Sequence, residues 1–270
     1  MVTLFEQDMR TADRQSSKGN QLKWIKDDVW YKADYTGYEG LSEYVISNLL
    51  KKSSLELEEY VLYDTENICY GTKTFHGCKS SDFLKDGDQL ITLERLFASY
   101  YGESLYKSIF KIQDYENRLK FLVEQTERMT GLKEFGAYLC KLLTIDAFFL
   151  NEDRHTHNIA VIKSDNGRYR YCSVFYNGAA LLADTMIDYP MEQDVLELIE
   201  CVRAKTFCSS FDEQLEIAEK LYGDQIRFRF GRKTIEEILE TEKVYPMDVK
   251  NRVMDILIQQ MRKYQYLFAG

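Results

Sequence analysis

The spacing of apolar positions changes character along this chain. Over 132–150, Leu132, Phe135, Leu139, Leu142, Leu143, Ile145 and Phe148 recur every three or four residues, which predicts a core-facing helix. Helical spacing also marks 92–100, a long stretch near 103–128, and 190–203, 211–222, 233–241 and 247–267. The first third reads differently. The turn-prone stretch Ser16-Ser17-Lys18-Gly19-Asn20 and the short β-rich runs at Trp24-Ile25 and Val29-Trp30-Tyr31-Lys32 read as a hairpin. Two more runs, 58–63 and 68–75, read as strands joined by a turn at Asp64-Thr65-Glu66-Asn67, with loops at 77–84 and 85–88. One helix interrupts this region: Leu41, Val45 and Leu49 with Ile46 and Leu50 form a buried stripe over 38–50. A last pair of strands, 159–163 and 168–175, flanks a turn at Asp165-Asn166-Gly167. The pattern is α+β, β-rich first and mostly helical afterwards.

Composition narrows the class. A chain of 270 residues that is 45% apolar and 14% aromatic can bury a large core, in one domain or two lobes. Only Pro190 and Pro246 interrupt it, which favours long helices. The net charge of −9 argues against nucleic acid or an anionic membrane as a direct partner, since both need clustered Lys and Arg. A nucleotide triphosphate needs only a few local cations. Six scattered cysteines without a CxxC pair, and no signal sequence, lead us to expect free thiols in a cytoplasmic protein. No apolar run approaches the roughly 18 residues of a membrane span.

The candidate chemistry concentrates in Asp146-Ala-Phe-Phe-Leu-Asn-Glu-Asp-Arg-His-Thr-His-Asn-Ile-Ala-Val-Ile162, where an apolar helix runs into acid, base and amide groups before a β-branched strand. The order Asn-x-Asp-Arg-His-x-x-Asn within it resembles the catalytic loop of HipA-like Ser/Thr kinases and, more distantly, the Asp-Arg-His-x-x-Asn loop of phosphatidylinositol kinases. The resemblance covers 15–190 loosely and 139–184 tightly. It implies a bilobal protein-kinase-like fold, with a small β-rich lobe over 1–84 and a helical lobe over 85–270. It further implies ATP and Mg²⁺ as cofactors and a protein hydroxyl as phosphate acceptor. Asp153 is then the catalytic aspartate and Asn158 a Mg²⁺ ligand, with His155 supporting the loop. Asn151 and Arg154 shape the loop through hydrogen bonds and an ion pair. The kinase order of a strand lysine followed by a helix carboxylate fits Lys32 with Glu43, or with Glu39 one turn earlier. Ser17, Lys18 and Gly19 fall where a flexible loop closes over phosphates, and the Ser16-Ser17 pair is a candidate for self-phosphorylation.

A second motif, Ser173-Val-Phe-Tyr-Asn-Gly-Ala-Ala-Leu-Leu-Ala-Asp184, resembles the metal-binding segment of the same kinases. That segment carries an aspartate at the position filled here by Tyr176 or Asn177, depending on alignment. Asn177 keeps a neutral oxygen, whereas a phenol at 176 is neutral near pH 7 and intrudes on the metal's space. Asp184 reads as a helix N-cap or segment start. The departure favours impaired transfer, with a nucleotide-binding pseudokinase as the alternative and a small-molecule or lipid kinase as a third reading. Asp153 beside the His155-x-His157 pair also raises a transition-metal site, which no third or fourth ligand motif supports. The chain looks like a short member without the extra N-terminal region of HipA toxins. Binding to a HipB-like antitoxin is therefore not carried over, although the family leaves room for an antitoxin or regulatory partner.

Overall fold

The computed structural model describes residues 1–10 and 21–268, which fall into two compact units. The stretch containing Ser16, Ser17, Lys18, Gly19 and Asn20 lies outside the described residues. The first unit comprises Met1–Phe83, Phe175–Val202 and Arg227–Gly270. Its sheet has five strands in the order β1-β4-β5-β3-β2. These are β1 (Val2–Leu4), β2 (Lys23–Lys26), β3 (Val29–Ala33), β4 (Asp64–Tyr70) and β5 (Lys73–Ser81). β2 and β3 form the expected hairpin around Asp27-Asp28, both with positive φ (52° and 59°), as a tight two-residue turn requires. Leu4, Trp24, Ala33 and Ile68 close one buried cluster on this sheet.

Several details depart from the sequence reading, among them β5, which runs on to Ser81 through part of the stretch read as a loop at 77–84. Asp64–Asn67 is strand rather than turn, because these polar residues pair with Gly77, Cys78, Lys79 and His76 of β5. The reversal comes at Gly71, with φ +61°, and the 57–59 stretch is a short 3₁₀ turn. β1 was hidden by its length and pairs in parallel with β4.

Helix α1 (Glu39–Leu50) buries Leu41, Val45, Ile46, Leu49 and Leu50, and it packs against β5. Gly40 and Gly77 allow the close approach. A Cβ on Gly40 would lie 2.5 Å from the Gly77 carbonyl carbon. Glu39 accepts from the backbone N–H groups of Tyr35, Thr36 and Gly37 and so ties the entry to the helix. Helices α6 (Val195–Cys201), α8 (Arg232–Thr241) and α9 (Met247–Lys263) complete the unit.

Beside the start of α1, Asp34 accepts from Gly40 N–H (2.7 Å) and from the Tyr245 hydroxyl (2.7 Å). Burial, reinforced by the neighbouring Glu39 charge, pushes its carboxyl up to about 8, against the lowering effect of those two donors. Its folded value thus lies above the unfolded carboxylate value of about 3.9. Between these two values the folded chain holds more protons than the unfolded one, so Asp34's contribution to stability declines as pH rises. We expect thermal unfolding scans to show stability falling between pH 5 and 8, with a slope from this group of at most about 1.4 kcal/mol per pH unit. Asp34→Asn should flatten the slope, and an unchanged slope in that variant would refute the assignment.

The second unit comprises Leu84–Val174 and Arg203–Ile226. Its three-stranded sheet, in the order β6-β7-β8, contains β6 (Gln89–Thr92), β7 (Ala160–Lys163) and β8 (Tyr169–Tyr171). The predicted helix over 103–128 is broken into α3 (Leu105–Lys111) and α4 (Tyr115–Thr130), because Asp114 caps a new N-terminus by accepting from Asn117 N–H. Before them comes α2 (Leu93–Tyr101), capped by Thr92. α5 (Phe135–Phe149) is buried along nearly its whole length and packs against α7 (Phe211–Tyr222). Among the described residues no helix is long and apolar enough to cross a membrane.

Candidate active site

The loop after α5 is built on a buried charge. Asp146 sits in the last turn of a largely apolar helix, and Leu150 ends that helix in the left-handed conformation (φ +58°). The Asp146 carboxylate receives Arg154 Nε at 3.0 Å and Nη2 at 3.1 Å, and Asn151 Nδ2 at 2.9 Å. Arg154 and Asp146 are 2% and 1% exposed, so neither charge has water to fall back on. Burial raises the Asp146 carboxyl, Arg154 opposes the rise, and the net direction is upward. Arg154 also reaches the Asn158 carbonyl at 3.3 Å, while the Thr206 hydroxyl donates to the Arg154 carbonyl at 2.5 Å. Asn151 and Arg154 therefore fix the shape of the loop, as expected.

That scaffold presents Asp153. Asn158 Nδ2 donates to the Asp153 carbonyl (2.8 Å) and to its Oδ2 (2.9 Å). His155 Nε2 lies 3.5 Å from Asp153 Oδ1, and His155 Nδ1 accepts from His157 N–H at 3.2 Å. The structure thus brings Asp153, His155 and Asn158 into one cluster. Below it, Glu94 accepts from the Thr156 hydroxyl (2.8 Å) and from Tyr106 N–H (2.9 Å), which anchors the loop to the ends of α2 and α3.

The first unit carries its own cluster. Lys32 Nζ, projecting from β3, lies 2.8 Å from Glu43 Oε1 on α1 and 3.0 Å from the Tyr63 hydroxyl. Burial pulls the ammonium's pKa down, but the Glu43 carboxylate and Tyr63 outweigh it, and the value ends well above normal. Glu43, not Glu39, is the partner of Lys32, since the Glu39 oxygens serve the turn before the helix. Glu43 Oε2 also accepts from Asn177 N–H at 3.1 Å, and Ser42 donates to the Asn177 and Ala180 carbonyls. The 177–180 turn is thereby fastened to α1. Asp184 accepts from Ile187 N–H and shapes a turn there rather than capping a regular helix.

Tyr176 has a positive φ of 63°, a region that a bulky residue rarely enters. Its hydroxyl accepts from Lys23 Nζ at 3.3 Å, and its ring lies 5.0 Å from Lys23 Nζ and 5.4 Å from Lys32 Nζ. A cavity of only about 20 Å³ remains among Lys23, Lys32, Tyr63, Phe175 and Tyr176. An oxygen that accepts from an ammonium is a poor Mg²⁺ ligand, so position 176 does not fit a metal site. Asn158 does offer the hard amide oxygen that Mg²⁺ takes. Among the described residues, no group of three or more His, Cys, Asp or Glu side chains is placed to hold a metal.

Three contributors escaped the sequence reading. Lys23 and Tyr63 look like ordinary strand and loop residues, and nothing in their neighbours signals that they meet Lys32 and Tyr176. Asp146 was legible in principle, as a lone carboxylate on an apolar helix face.

No protein-family model matches the sequence, and no curated protein matches it. Among solved structures, the crystal structure of a Helicobacter pylori proinflammatory kinase, CtkA, matches with a TM-score of 0.66 at 14% identity, over 98% of this chain and 96% of that one. The likeness establishes the fold: mixed α+β, a β-sheet N-terminal region and a mainly helical remainder, matching that neighbour.

Proposed function

We propose that this chain is a HipA-like, kinase-type phosphotransferase that moves the γ-phosphate of ATP to a protein hydroxyl, with transfer slowed by Tyr176. The observation that carries the reading is the 2.8 Å Lys32–Glu43 ion pair, made between a sheet strand and a helix in a chain of kinase-like fold. In this reading residues 1–84 supply the nucleotide-holding lobe, where Lys32 holds phosphate oxygens and Glu43 keeps its ammonium in place. In the second unit Asp153 orients the acceptor hydroxyl and takes its proton, and Asn158 and His155 hold the Asp153 carboxylate. The hydroxyl oxygen bonds to the γ-phosphorus as the bond to the bridging oxygen breaks, and ADP leaves with that electron pair. No step is assigned to a metal at position 176.

A second reading has a specific observation behind it. With its phenol on Lys23 and its ring beside Lys32, Tyr176 occupies the space next to the phosphate-holding lysine. That arrangement suits a protein that binds nucleotide or partners without efficient transfer. Radiolabelled ATP separates the two. The proposal expects slow label incorporation into protein, abolished by Asp153→Ala, and nucleotide affinity lowered by Lys32→Met. Label that survives Asp153→Ala rules out the assigned base. Nucleotide binding without any label supports the second reading.

A further inference from the structure

The second unit holds a much larger open groove, of about 450 Å³, beside the Asp153 loop. Tyr106 and Phe110, one turn apart on α3 with ring centroids 4.5 Å from each other, form an aromatic wall. They are 43% and 37% exposed, so the wall faces solvent. Opposite chemistry comes from His155, His157 and Lys205. No Asp or Glu is among the described lining residues, although the chain as a whole carries −9. Three carboxylates border the lining residues: Asp153 is held by Asn158 and His155, Glu94 accepts from Thr156 and Tyr106 N–H, and the charge of Glu213 acts on Cys208.

The groove is preformed. Thr206 is bonded to the Arg154 carbonyl, Gln214 accepts from Phe207 N–H at 2.9 Å, and Arg118 reaches the Phe207 carbonyl at 2.8 Å. These contacts lock the 204–209 wall to the loop and to two helices. Cys208 is no nucleophile here, since burial pushes its thiol up to about 11 and its Sγ donates to the Ser210 carbonyl.

We propose that this groove docks the acceptor polypeptide, and that it selects a hydroxyl residue flanked by an apolar or aromatic side chain and by acidic residues. The inference rests on the phosphotransferase reading for its meaning but not for its test. The aromatic side chain packs on Tyr106 and Phe110, the acidic flank meets Lys205 and His157, and His155 places the hydroxyl near Asp153. An open groove of about 450 Å³ suits a chain segment better than an enclosed metabolite site would. The overall negative charge repels such a ligand at long range, so its recognition has to come from these close contacts.

The test is fluorescence anisotropy on the full chain, with a labelled peptide in which phenylalanine and glutamates flank a single serine. A control peptide carries lysines in place of the glutamates. The acidic peptide should bind at least about ten-fold tighter than the basic one. Lys205→Glu should remove or invert that preference, and Tyr106→Ala should weaken binding of both peptides. Both substitutions are at exposed positions, and unfolding scans confirm that the variants are folded. Equal binding of the two peptides, or indifference to Lys205→Glu, overturns the proposal. So does binding of phenyl phosphate alone, which would make the groove a small-anion site. A peptide that binds with the expected charge preference but never takes label from ATP leaves the docking site standing and defeats the phosphotransferase reading instead.

Discussion

Arg154→Met should lower the stability of the second unit by about 3–5 kcal/mol, the cost of leaving a buried charge without its partner. Asp146 is 1% exposed and would keep only the Asn151 amide. Its carboxyl, already raised by burial, would rise further and take up a proton in the folded state. An acid raised in the folded state costs stability above its unfolded value and less as pH falls towards it. The deficit should therefore be larger at pH 8 than at pH 5. The double variant Asp146→Leu with Arg154→Met should recover much of the loss, because two apolar side chains replace the pair. Urea denaturation followed by circular dichroism at the two pH values reads all of this. A single-variant loss below about 1 kcal/mol would mean that the pair does not hold the loop.

Tyr176→Asp should act in the opposite direction, on function. The exchange removes the ring from beside Lys32 and ends the Lys23–phenol hydrogen bond. Aspartate also tolerates the +63° φ better than tyrosine does. It adds a carboxylate, the charged oxygen ligand that a divalent cation prefers. Under the proposed function, nucleotide affinity should become Mg²⁺-dependent and transfer should rise by on the order of several powers of ten, since a metal-bound charge is worth several kcal/mol in the transition state. Tyr176→Phe is the control. It loses only the hydroxyl and should gain neither property. Calorimetric titration of nucleotide with and without Mg²⁺, together with label transfer, gives the answer. No gain in either would sink the metal-site alignment at 176.

How much of this could be read from sequence depended on whether the signal was periodic or tertiary. The helix at 132–150 announced itself through an unbroken apolar face, and α1 and α7 did so for the same reason. The hairpin of β2 and β3 showed through its Trp and Val content. Where pairing overrides local composition, the reading slipped. Asp64–Asn67 has the residues of a turn but is held as a strand by β5, and β6 is short enough to pass for loop. The Asp153–Asn158 cluster was legible because all its members lie within a few residues of one another. The Lys32 environment was only half legible. The order of lysine and glutamate was visible, but the choice of Glu43 over Glu39 and the arrival of Lys23 and Tyr63 depend on contacts across 11 to 153 residues. Nothing in local spacing encodes those.

The paired glycines under α1 bear on control. With Gly40 and Gly77 in backbone contact, and Ser42 fastened to the 177–180 turn, the helix has no slack in which to swing or roll. Glu43 therefore stands at a constant reach from Lys32, and withdrawing it would mean tearing a sheet-to-helix seam open. A chain built this way has surrendered the helix as a throttle.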